Sequence, residues 1–202
     1  MYCVTSSKAS TRIELHPAAR EAYEWTANFP RWVNFSALPE TLIFELSRQP
    51  LHGVMKREKD SSTTSNKIST FQLYSPLWIP QLWVDERPPV GTLLIHCETT
   101  EIKNHEIEKA AWVSTLSYLI NAVDPSKTSE IRDTLVAHMP TNLHRELLKS
   151  KTLTDPMLCK WLGISRGTLV RQRKLKLALN APTLAPPLDV ITALNKEWSP
   201  DE

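Results

Sequence analysis

Apolar residues recur every three or four positions along much of this 202-residue chain, and that spacing predicts helices. Residues 17–28 carry Ala18, Ala22, Tyr23 and Trp25 in this rhythm, which Pro30 stops; Trp32, Val33 and Phe35 follow as an apolar knot. In residues 36–48 Leu38, Leu42, Ile43 and Leu46 share one side, and Pro50 lies beyond the end. From Asn104 a long helix is expected, apolar on much of its circumference through Ile107, Ala111, Val113, Leu116, Leu119 and Ile120, and stopped by Asp124-Pro125. Such a helix must be covered, either by the N-terminal sheet or by a copy of itself. Residues 129–139 and 142–150 give two more helices, the second placed to support whatever follows it.

Between Leu51 and Thr99 the pattern shortens to that of strands. Segments 53–58, 68–74 and 91–99 fit, and 77–84 is expected as an edge or bulged strand because Pro80 interrupts it. The polar run 59–66, KDSSTTSN, reads as a hairpin or surface loop, and residues 1–12 read as a loose arm. Three or four largely antiparallel strands result. The expected class is α+β: a small N-terminal helix-plus-antiparallel-sheet domain over 1–103, serving as a sensor, dimerisation or partner domain, then connecting helices over 104–140. An all-α region follows over 141–180, and a proline-rich spacer with a terminal helix over 181–202.

Residues 154–177, TDPMLCKWLGISRGTLVRQRKLKL, are the most informative stretch. Asp155-Pro156 starts a helix, with the carboxylate placed to cap free N–H groups. Leu158, Trp161 and Leu162 recur at helical spacing, and Gly163 ends the helix where a positive φ is needed. Ile164 is an apolar pin and Ser165 can cap a second helix. There Leu169 faces inward among Arg166, Arg171, Arg173, Lys174 and Lys176.

This stretch resembles the helix-turn-helix superfamily of DNA-binding proteins: Cys159 takes the small position, Gly163 the turn and Leu169 the second-helix anchor. Leu162 to Leu169 spell LGIS-x-x-T-L, one of its commonest forms. Gln172 departs from it, standing where many members place an apolar residue. The resemblance implies a second helix in the major groove of double-stranded DNA. Arg166, Gly167, Val170, Arg171 and Lys174 would then face bases or groove, and Ser165, Thr168, Arg173 and Lys176 would face phosphates. It implies a sequence-specific transcriptional regulator, expected as a homodimer joined through the body. The alternative is an adaptor or assembly protein whose helix-turn-helix binds another protein.

Charge sharpens this picture. The chain carries only +2, but residues 151–180 hold seven basic side chains against Asp155 alone, leaving −4 for the rest. With four glycines against 15 prolines, no G-x-G-x-x-G or P-loop pattern occurs. Cys3, Cys97 and Cys159 are too few and too scattered for a disulfide framework or zinc site, which suits a reducing cytoplasm. No apolar run is long enough for a bilayer and no secretory core opens the chain, so a soluble protein without membrane contact is expected.

No enzyme constellation is found, and neither metal nor cofactor is expected. His96 and Cys97 are adjacent on a strand and point to opposite faces, and His105-Glu106 lacks the H-E-x-x-H spacing. Serine recombinases also carry a C-terminal helix-turn-helix, but Tyr2-Cys3-Val4-Thr5-Ser6 lacks the arginine of their Tyr-x-Arg-x-Ser pattern. Trp78 and Trp83 suggest an aromatic platform for a base or small ligand, yet filling the sheet core is the simpler expectation. A small-molecule or protein partner at the N-terminal domain stays open.

Overall fold

The β-patterned run after Pro50 forms the middle of a five-stranded sheet in the computed structural model, which describes residues 2–8, 11–29, 34–57, 69–83, 86–98, 100–122 and 124–180. The polar run 59–66, Trp32 and Val33 of the apolar knot, and the spacer and terminal helix of 181–202 lie outside the described residues. In chain order the strands are β1 (Cys3–Ser6), β2 (Arg12–Leu15), β3 (Leu51–Arg57), β4 (Ser69–Ser75) and β5 (Leu93–Glu98). They lie side by side as β1-β5-β3-β4-β2. β1 with β5 and β3 with β4 are antiparallel, whereas β5 with β3 and β2 with β4 are parallel. The sheet is therefore mixed, not antiparallel as expected.

Two further corrections concern its ends. Cys3–Ser6, expected in a loose arm, is an edge strand, and so is Arg12–Leu15. Each has only four residues and lies at an edge of the sheet: Cys3–Ser6 is exposed throughout and shows no apolar alternation, whereas Arg12–Leu15 alternates polar and apolar over too short a run to stand out. Leu77 to Leu82, expected as an edge strand, instead turns into a short 3-10 helix, Ile79–Leu82. Pro80 sits in its first turn, where the missing N–H would have had no partner anyway.

Both faces of the sheet are covered. Leu51, Phe71, Leu73 and Leu94 point to one face and pack with Ile79 of the short 3-10 helix. Phe71 lies so close over Gly53 that a Cβ there would enter its ring and come within 2.7 Å of the Gln72 carbonyl oxygen. On the opposite face Val54, Tyr74 and Cys97 meet α1 (Arg20–Ala27) and α3 (Asn104–Ala122). The Trp25 and Trp112 rings stand 6.3 Å apart, and the Thr26 and Thr115 hydroxyl oxygens 2.9 Å apart. Thr26 gives its proton to the Ala22 carbonyl, so Thr115 is the donor between the two threonines. Of the two coverings considered for the long helix, its own chain buries Ile107, Ala111, Trp112 and Leu119, while Val113 and Ile120 stay exposed.

The other helices are α2 (Glu40–Ser47), α4 (Thr128–His138), α5 (Thr141–Leu148), α6 (Asp155–Leu162) and α7 (Arg166–Asn180). One apolar cluster runs without a break from Trp112 and Leu119 through Ile131, Leu135 and Leu143 to Leu153 and Leu158. The architecture is α+β, with the sheet in the N-terminal half and an all-helical C-terminal region.

Candidate nucleic-acid interface

Helix α6 begins after Thr154, which has extended φ/ψ but makes no side-chain cap. Asp155 does not cap either: it enters the first turn, and its carboxylate is taken by two arginines. Leu158 and Cys159 are buried beneath the helix. At its end Gly163 adopts φ 65° and ψ 22°, the left-handed conformation that glycine reaches without strain. No atom comes within 4 Å of a Cβ built there, so the backbone alone asks for glycine. The Ile164 N–H returns to the Cys159 carbonyl at 3.1 Å. Ser165 caps α7 by accepting the Thr168 N–H at 3.1 Å, and the two hydroxyl oxygens lie 2.9 Å apart. Leu169 is fully buried, as an anchor must be.

The inner face of α7 is polar as well as apolar. Gln172 Oε1 accepts the Ser129 N–H at 3.0 Å, satisfying one of the orphan donors that open α4. That is why glutamine stands at a position where an apolar residue was expected. Arg173 makes a fork on Asp155, with Nη1 and Nη2 at 2.7 and 2.8 Å, and Arg132 Nε reaches the same carboxylate at 3.1 Å. Hydrogen bonding to Arg173 holds the Asp155 carboxyl below the usual aspartate range, against some desolvation, and the neighbouring arginine charges add to it. Lys176 Nζ lies 3.6 Å from Glu130. The helix that steadies α7 is therefore α4. The expected supporter, α5, directly precedes the motif but makes none of these links.

This divides the predicted site residues. Ser165, Arg166, Gly167, Thr168, Val170, Arg171 and Lys174 lie together on the exposed side of the turn and α7. Arg166, Arg171 and Lys174 make no ion pair among the described residues, and Lys160 of α6 is exposed near the turn. Arg173, expected to face phosphates, is engaged by Asp155 in a partly buried ion pair. Lys176 is half exposed but leans on Glu130. Sequence reasoning missed Arg132, Ser129 and Gln172 as the residues that seat α7. A signal was present, since 169, 172, 173 and 176 follow the i, i+3, i+4, i+7 stripe of one helix face.

Elsewhere, Trp78 and Trp83 pack partly buried against the Leu51–Phe71 side of the sheet. Cys3, Cys97 and Cys159 are free thiols. Among the described residues no group of three or more His, Cys, Asp or Glu could hold a metal ion, and no helix is long and apolar enough to cross a membrane. No protein-family model, curated protein or solved structure matches this chain.

Proposed function

We propose that the chain is a sequence-specific DNA-binding regulator that reads double-stranded DNA with α7. One observation carries this reading: α4 and α6 hold α7 by its inner face, which leaves Arg166, Arg171 and Lys174 outward beside the Ser165–Thr168 end. Cations that form no salt bridge among the described residues, on a helix preceded by a tight glycine turn, suit the major groove and its flanking phosphates. The mechanism is occupancy of an operator with no chemical step. The three free thiols suit a reducing cytoplasm. A homodimer joined through the body belongs to the same reading, because two-fold operators ask for two copies. Val4 on β1 and Ile120 on α3 are exposed apolar side chains that such a contact would cover. Sedimentation at micromolar concentration, with and without DNA, tests that part.

The experiment for the main reading is binding to bulk DNA across a salt series. Lys160, Arg171 and Lys174 give about three backbone contacts per chain, so log affinity should fall against log salt with a slope near −0.9 for each phosphate neutralised. Affinity that stays flat from low to physiological salt ends the DNA reading. It would favour the second one, an adaptor whose outer α7 face binds protein. The observation behind that alternative is apolar exposure on α7, where Leu175 is 58% and Leu177 72% accessible.

A further inference from the structure

A cavity lies far in sequence from α7. It sits between α3 and the rim of the sheet and has a volume of about 730 Å³, within the size range of small-molecule sites. Tyr2, Tyr74, Trp78 and Tyr118 wall it, with the Trp78 and Tyr118 rings stacked 5.6 Å apart and only 8° from parallel. Ser114, Ser117 and Asn121 enter from α3, and His52 enters from β3. Among the described residues that line it there is no Asp, Glu, Lys or Arg, although 23% of the chain is charged. A larger hollow of about 890 Å³ beside α2 differs in this respect, because Lys8, Glu40, Glu45 and Arg87 mix both charges at its edge and select no ligand class.

We infer that the α3 cavity binds an uncharged heteroaromatic small molecule. Four aromatic residues offer ring faces and edges to a flat partner. The hydroxyls, the amide and the imidazole supply donors and acceptors together, which matches the edge of a nitrogen heterocycle. An ionic ligand would give up hydration here without meeting a counter-charge among the described lining residues, and that is costly. The titratable groups agree. Burial, and then the Tyr2 phenol beside it, push the Tyr74 phenol up, so it stays a protonated donor; burial lowers the His52 imidazole, so it is neutral at pH 7. The inference is independent of DNA binding.

Indole and adenine are the probes, titrated into the full chain by calorimetry with adenosine monophosphate and glucose alongside. Saturable binding of at least one ring below about 1 mM is expected, with the nucleotide and the sugar at least tenfold weaker. Ser117→Phe and Asn121→Phe place a ring in the cavity from exposed helix positions one turn apart. Both should keep the wild-type melting temperature and lose the probe by more than tenfold. Either variant that folds is sufficient for the comparison. The inference is overturned if neither ring binds saturably, if the variants bind as well as wild type, or if the nucleotide or glucose binds as tightly as the rings.

Discussion

Arg173 reaches back 18 positions to grip both oxygens of Asp155, and this pair locks α7 to the start of α6. The guanidinium is planar and its fork matches a carboxylate, so the contact fixes orientation as well as distance. Arg132 joins from α4, so one carboxylate gathers three helices. The pair is partly buried, with Asp155 at 20% side-chain exposure, so water screens it only in part.

Arg173→Ala should therefore lower stability by about 1.5–3 kcal/mol, the usual range for a hydrogen bond to a charged group. Arg173→Lys should not restore it, because an ammonium cannot form the fork. Urea melting measures this, and DNA titration at several salt concentrations supplies the contrast. If Arg173→Ala melts like wild type and lowers the salt slope by about one unit, the arginine reaches a phosphate and the internal pair is not its role.

Acid should weaken the fold before any carboxylate titrates. Burial lowers the pKa of His16, His52 and His144 below the ordinary 6.5. As pH falls, the unfolded chain takes up these protons first, so stability is full above about pH 6.5 and drops below it until each folded pKa is passed. The loss is about 1.4 kcal/mol per pH unit for each ring inside its window. His16 Nδ1 also accepts the Ala18 N–H at 3.1 Å, a bond that protonation at that nitrogen removes. His16→Asn keeps a side-chain acceptor without a titrating ring. Denaturant melts from pH 8 to pH 5 should show its slope reduced by up to one proton; an unchanged slope would remove His16 from the account.

Gly163→Val should destabilise the C-terminal helices by roughly 1–3 kcal/mol, the cost of holding a β-branched residue in the left-handed region. The space around Gly163 is open, so no clash contributes to that figure. Gly53→Ala should disturb the sheet for the opposite reason, since its φ is unremarkable but Phe71 occupies the place of the new methyl. If Gly163→Val melts at the wild-type temperature, the turn does not require a positive φ.

What the sequence made legible follows from which forces act locally. Helix spacing, the Gly163 turn and the Ser165 cap depend on neighbours within one or two turns, and each was found where expected. The four-residue strands at the rims owe their conformation to partners tens of residues away, and Cys3–Ser6 is all exposed, so no local pattern marks it. The parallel pairing of β3 with β5 is likewise a property of the assembled sheet. On α7, Arg171 and Arg173 were both expected to face DNA, the first toward bases or groove and the second toward phosphates. Helical phase separates them, because Arg173 shares the stripe of Leu169 whereas Arg171 does not. The α4 partners of that stripe, Ser129 and Glu130, come from a helix about 40 positions earlier, and no local pattern marks that proximity.

If the chain binds DNA as proposed, Arg166 and Lys160 separate reading bases from touching the backbone. Arg166 opens α7, where a groove-bound helix brings its first turn to the base edges, and arginine pairs bidentately with guanine O6 and N7. Losing such a pair costs about 1–3 kcal/mol and relaxes the preference at that base. Lys160 lies in the last turn of α6, on the helix that crosses the backbone in this kind of docking. Arg166→Ala should thus abolish discrimination at one base position per half-site while nonspecific affinity changes little. Lys160→Ala should weaken binding to all sequences alike and lower the salt slope by about one unit per chain. Selection of both variants against a randomised DNA pool, with a salt series on the winners, gives both readouts. If Arg166→Ala recovers the wild-type motif with undiminished preference, α7 does not enter the groove by its N-terminal end. A Lys160→Ala variant that alters the motif itself would instead place α6 against the bases.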